Sequence, residues 1–178
     1  MTQRSRSVRR GLGATLAAAL LAVSAYVVWA VNKDYTLLAR TEIEGTPREV
    51  WDVLADRPSY PEWNPFMVAA TGELREGGKI TNDLRDIDGS PMVVDPVVLV
   101  VRPGEELRWK GTLWFNGVFD GEHWFRITDL GGGRSLLEQG ETFSGAGVPP
   151  LSGALRSRFE PQFQAMNDAL ADEVGRRR

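Results

Sequence analysis

Apolar residues along the chain follow three rhythms in turn: an uncharged run, a series of alternating segments, and a last stretch at helical spacing. The uncharged run is Leu12 to Val31, twenty residues without an acid or a base. At about 1.5 Å per residue it would reach about 30 Å, the thickness of a bilayer's hydrocarbon, so it is read as a transmembrane helix. Tyr35 to Glu44 alternates and predicts a first strand, which Gly45 breaks. Thr46-Pro47-Arg48-Glu49 then combines a hydroxyl N-cap, a proline at the first helical position and a glutamate at the third, so a helix begins at Pro47. Val50, Trp51, Val53 and Leu54 form its apolar stripe, and Asp56-Arg57-Pro58 closes it. The segment from Tyr60 to Phe66 carries Pro61 and Pro65, which leaves room for a turn or a single helical turn.

Six further strands are expected at Val68–Glu73, Lys79–Arg85, Met92–Arg102, Glu106–Phe115, Phe119–Asp129 and Arg134–Ser144. Strands in immediate succession form an antiparallel meander. Leu155, Phe159, Phe163, Met166, Leu170 and Val174 return at intervals of three or four, predicting one long amphipathic helix, kinked at Pro161. The expectation is an α+β architecture, with a curved antiparallel seven-stranded sheet around a long C-terminal helix.

Strand parity places particular side chains. In Glu106–Phe115, Leu107, Trp109, Leu113 and Phe115 share one face, and in the next strand His123, Phe125 and Ile127 share it, with Trp114 and Trp124 on the other. A hairpin loop at Gly131-Gly132-Gly133 pairs residues whose numbers sum to 264. His123 then faces Glu141, Phe125 faces Gln139, and Ile127 faces Leu137, so one face is consistently interior. His123 and Glu141 are the one evident acid/base pair. Such a pair could move a proton, or it could simply satisfy a buried carboxylate or orient a ligand.

Charge alters the picture at the N-terminus. Residues 1–31 hold Arg4, Arg6, Arg9 and Arg10 and no acid, leaving the rest of the chain at −7 against an overall −3. Arginines ahead of the span, and Tyr26 and Trp29 near its far end, predict a basic cytoplasmic N-terminus (1–11), a signal-anchor helix (12–31) and an extracytoplasmic domain (35–175) in a single-pass membrane protein. A signal peptide cleaved at Val23-Ser24-Ala25, releasing a secreted domain, is the alternative. The acidic remainder offers no basic stripe for nucleic acid. No cysteine and a single histidine exclude disulfides and the usual zinc sites, and no metal or other cofactor is expected. Asp83, Asp86 and Asp88 read as a solvated turn, and Arg176-Arg177-Arg178 as a charged helix end or a contact for anionic headgroups.

Glu49-Val50-Trp51-Asp52-Val53-Leu54-Ala55-Asp56 followed by Tyr60-Pro61-Glu62-Trp63-Asn64-Pro65-Phe66 resembles the opening signature of the SRPBCC superfamily, in its polyketide cyclase/dehydrase-like branch. Glu105 to Gly111, Phe119 to Phe125 and Gln164 to Leu170 resemble it too, so the likeness spans roughly Tyr35 to Val174. It implies a START-like helix-grip fold with a hydrophobic cavity between sheet and helix. Members of the superfamily include lipid carriers, hormone-binding proteins and cyclases, so the fold alone does not choose a function. Trp63, Phe66, Trp109, Leu113, His123, Phe125, Gln139, Glu141, Phe163 and Met166 are the expected lining, although aromatics of this kind also fill solid cores. Three readings follow: a membrane-anchored module binding a hydrophobic small molecule or lipid, a cyclase/dehydratase-like enzyme using His123 with Glu141, and a protein-interaction domain without ligand. Trp114 and Trp124 would pack on the N-terminal strand or mark a membrane-facing patch.

Overall fold

A computed structural model describes residues 2–112 and 117–178, with side chains from residue 15 onward. Leu113, Trp114 and Phe115 therefore lie outside the described residues. Helix α1 (Thr2–Val31) leads into β1 (Tyr35–Ile43), α2 (Pro47–Ala55), a 3-10 turn (Arg57–Ser59) and the single turn α3 (Tyr60–Trp63). Then come β2 (Met67–Gly72), β3 (Ile80–Arg85), β4 (Pro91–Val94), β5 (Val97–Arg102), β6 (Glu106–Thr112), β7 (Asp120–Gly131) and β8 (Arg134–Ser144). A second 3-10 turn (Pro149–Leu151) opens α4 (Ser152–Arg177).

The capping box forms as expected. Thr46 accepts from the amide of Glu49, and the Glu49 carboxylate accepts from the amide of Thr46 at 2.7 Å. All strand pairing is antiparallel, but the sheet is not one seven-stranded surface. Five strands in the order β1-β8-β7-β6-β5 form one sheet and β2-β3-β4 form a second. The expected strand over Met92–Arg102 is broken at Asp95-Pro96, because Pro96 has no N–H for the ladder. Its two halves belong to different sheets. Across the seam, Lys79 bridges Val97 and the amide of Ile80 donates to the carbonyl of Pro96 at 3.0 Å.

Helix α4 runs unbroken through Pro161 and buries Leu155, Phe163, Met166, Leu170 and Val174 against the five-stranded sheet and α2. This is the grip that the apolar spacing predicts. The last arginines bind the domain itself: Arg177 reaches Asp56 and Glu173, and Arg178 donates to the carbonyl of Glu44.

The N-terminal expectation is corrected. Among the described residues, no helix is long and apolar enough to cross a membrane. Within 12–31, seven alanines with Gly13, Thr15 and Ser24 dilute the leucines and valines. The residues expected to complete a span instead meet the domain: Ala30 is buried and the Tyr26 hydroxyl donates to the carbonyl of Ala146 at 2.8 Å. The single-pass topology, with its cytoplasmic N-terminus and extracytoplasmic domain, falls with the span. Asp86 is also not solvated. It is buried, paired with Arg158 and bonded to Gln162 on α4.

Candidate functional site

Alternation along β6, β7 and β8 brings Trp109, His123, Phe125, Gln139 and Glu141 to the face under α4. Trp109 of β6 lies opposite His123, and His123 lies opposite Glu141 of β8, the latter in the 264 register of β7 and β8, which holds from Asp120↔Ser144 to Asp129↔Ser135. A bulge then shortens the hairpin loop, so that Gly131 rather than Leu130 faces Arg134. Gly131, Gly132 and Gly133 all have positive φ, a conformation that side-chain-bearing residues resist.

His123 is held on every side. Its ring stacks on Trp109, with centroids 4.9 Å apart and planes within 3°, and meets Phe163 of α4 edge-on at 5.0 Å. Phe125 touches both Trp109 and His123. Nδ1 lies 3.5 Å from Glu141 Oε2, at the long limit of a hydrogen bond, and Nε2 lies 3.2 Å from Gln139 Nε2. An amide nitrogen only donates, so His123 Nε2 accepts and the ring proton sits on Nδ1, facing the carboxylate. Gln139 also donates to the Met166 sulfur at 3.6 Å.

Of the expected lining, Trp109, His123, Phe125, Gln139, Glu141, Phe163 and Met166 form one contiguous group. Phe66 joins it through Phe163, 5.8 Å away between centroids. Trp63 is fixed elsewhere in the core, its indole N–H on the Ser59 hydroxyl and its ring against Tyr60. Leu113 lies outside the described residues.

Three members of the interior were not on the expected list. Phe159 and Phe143 extend the aromatic surface beyond Phe66 and Phe163. Phe143 shares the odd parity of Gln139 and Glu141, so the signal was present in the strand. Asn167 is fully buried on α4, four residues after Phe163 and one after Met166, and neither its amide oxygen nor its nitrogen has a partner. Gln139 Oε1 is likewise buried and unpaired. Helical spacing marks position 167 as interior, but only packing shows that its amide is unsatisfied.

Trp124 faces away from the grip, as parity predicts, yet it is buried. Its indole covers Gly140 on the neighbouring strand, where a Cβ would overlap the ring, and Arg126 lies 4.6 Å above it. It marks no exposed patch.

A sequence model of the family described as "Polyketide cyclase / dehydrase and lipid transport" matches residues 36–175. No curated protein sequence matches the chain. Among solved structures, the Zhui aromatase/cyclase from Streptomyces sp. R1128 superposes with a TM-score of 0.66 at 18% identity, over 82% of this chain and 96% of that one. A START superfamily protein from Mycobacterium smegmatis gives 0.61 at 18%, over 81% and 99%. The di-domain ARO/CYC StfQ of steffimycin biosynthesis gives 0.63 at 15%, over 81% of this chain and 52% of its own, so the chain spans about half of that protein. At these identities the likeness is one of fold.

Proposed function

Because the chain belongs to the polyketide cyclase/dehydrase and lipid transport family, we propose that it binds an apolar small molecule between the five-stranded sheet and α4, with the amides of Gln139 and Asn167 reading a polar function on that molecule. The carrying observation is a set of buried, unpaired amide atoms: Gln139 Oε1, on the side chain that meets the imidazole, and both polar atoms of Asn167 on α4. Each unsatisfied buried group costs about 1–3 kcal/mol, so a guest bearing a donor and an acceptor would recover much of that penalty. Trp109, His123, Phe125 and Phe163 pack ring against ring, so admission of the guest requires the Phe163 ring to move off the imidazole.

Binding is favoured over turnover by the state of the imidazole. Both ring nitrogens face protein side chains, Glu141 at one and Gln139 at the other, which leaves neither free to take a proton from a substrate while those contacts persist. The group is built to orient.

Native mass spectrometry of the full chain, followed by organic extraction, tests this. A discrete apolar adduct is expected, with affinity about tenfold weaker in Gln139→Leu and in Asn167→Leu but within a few-fold of wild type in His123→Gln. An adduct-free chain that binds no member of an apolar panel, or binding unchanged in both amide variants, would overturn the reading. Turnover of a bound compound that His123→Gln abolishes would replace it with the enzyme.

A further inference from the structure

A cavity lies outside the grip and shares none of the grip's expected residues. It occupies about 690 Å³ where α2, the turn at Arg57–Ser59, β2 and the end of β5 meet, beside the seam between the two sheets. Its walls are mainly apolar, from Trp51, Pro58, Pro61, Ala70, Leu74 and Val101. No aspartate or glutamate lines it. One charged group does: Arg57, whose residue surface is only 5% exposed.

Arg57 is an unusual cation for this chain. Among the described residues the other buried charges sit in ion pairs, as Glu106 does with Arg102 and Arg108 and Asp86 with Arg158. Arg57 has no carboxylate within 4.0 Å among the described residues. Its bonds go to neutral acceptors: Nη1 to the carbonyl of Gly72 at 3.1 Å, and Nη2 to the carbonyl of Thr81 at 3.2 Å and to Asn82 Oδ1 at 2.7 Å. A guanidinium carries five N–H donors, so these bonds leave Nε and one Nη1 proton unused. The three bonds anchor the head group rigidly between β2 and β3, which keeps the remaining donors in place. Burial pushes its pKa below the ordinary guanidinium value, the nearby Tyr60 phenol opposing this, and a basic group so displaced is one on which a counter-ion has most effect. Among the described residues the indole N–H of Trp51, on the same walls, has no hydrogen-bond partner either.

We propose that this cleft binds a carboxylate carried on an apolar body, with the carboxylate on Arg57 and the body along Trp51, Pro58, Pro61 and Leu74. Charge selects the class: an acid-free apolar wall with one fixed, unneutralised cation stabilises a monoanion, and a neutral molecule of equal size leaves the charge unpaired. Size agrees, since the volume falls within the usual 300–1,000 Å³ or so of small-molecule sites. The inference is independent of the grip site.

Calorimetric titration of the full chain with decanoate and with decanol, as probes of equal length, tests it. Decanoate is expected to bind at least about tenfold more tightly than decanol, and Arg57→Gln is expected to erase that preference. Thr71→Trp, an exposed strand position on the rim, keeps Arg57 and its bonds while narrowing the cleft, and it should weaken decanoate by a similar factor with the fold intact. Equal binding of the two probes, no binding of either, or decanoate affinity that survives Arg57→Gln and Thr71→Trp would overturn the proposal. Affinity that survives those two and falls in Gln139→Leu would place the carboxylate in the grip instead.

Discussion

Gly140 shows how one missing side chain can organise a face of the sheet. Trp124 can lie flat and buried on the outer surface only because its cross-strand partner has no Cβ. Gly140→Val should therefore destabilise the protein by about 1–3 kcal/mol, the usual cost of forcing volume into a packed site, read as a lower midpoint in urea. A midpoint within error of wild type would mean that the indole moves aside at no cost. The pairing of His123 with Glu141 was legible in the sequence, because side chains alternate strictly along a strand and a glycine hairpin sets the register. The burial of Trp124 was not. Parity assigns a face, whereas exposure depends on what the neighbouring strand presents there.

Among the elements, the β3–β4 hairpin stands out because it belongs to the smaller sheet yet is fastened to α4. Asp86, where β3 enters the turn, pairs with Arg158 and accepts from Gln162 at 3.3 Å. The turn behind it is set by Asp86 accepting from the amide of Ile87 and Asp88 from that of Ser90. Asp86→Asn removes the charge but keeps the shape. At about 1.5–3 kcal/mol for a charge-assisted contact, amides of Met92–Val94 and β3 should exchange deuterium at least roughly tenfold faster, while those of β7 and β8 stay unchanged. Uniform acceleration across all strands would show that the latch supports the whole domain. The hairpin is legible in the sequence, and Asp83 and Asp88 are exposed as its turn signals predict, but Asp86 is not, since local spacing cannot reveal a helix arriving from seventy-odd residues away. It also joined β4 to β5 across Pro96, where the apolar run continues although the ladder cannot.

At the scale of the molecule, carboxylates held in their charged form shape stability against pH. Burial of Glu106 would raise its pKa, but the hydrogen bond and charge of Arg108, with Arg102 and Arg126, outweigh this and hold it below its ordinary 4.5. Glu49 is lowered chiefly by the Thr46 amide and hydroxyl, and Asp88 by Ser90. A carboxylate with a depressed folded-state pKa contributes stability that is full above its unfolded value and is lost as pH falls through the folded one. Urea midpoints should thus hold from neutrality to about pH 5 and decline below 4.5, and Glu106→Gln should lower the plateau and flatten the decline. A variant with an equally steep acid limb would remove Glu106 from that account. Most of the elements, the capped start of α2 and the face on which His123 and Glu141 meet were legible in the chain alone, because these depend on spacing and local backbone preference, and the likeness of its segments to known sequences marked the family. Only the packing of distant groups decided that the strands divide into five and three, that the N-terminal helix meets the domain through Tyr26 and Ala30, that Asn167 and Gln139 keep unpaired amide atoms, and that Arg57 stands buried with no carboxylate beside it among the described residues. Each of these rests on which distant groups pack together, and no local pattern encodes the partner that a buried polar atom lacks.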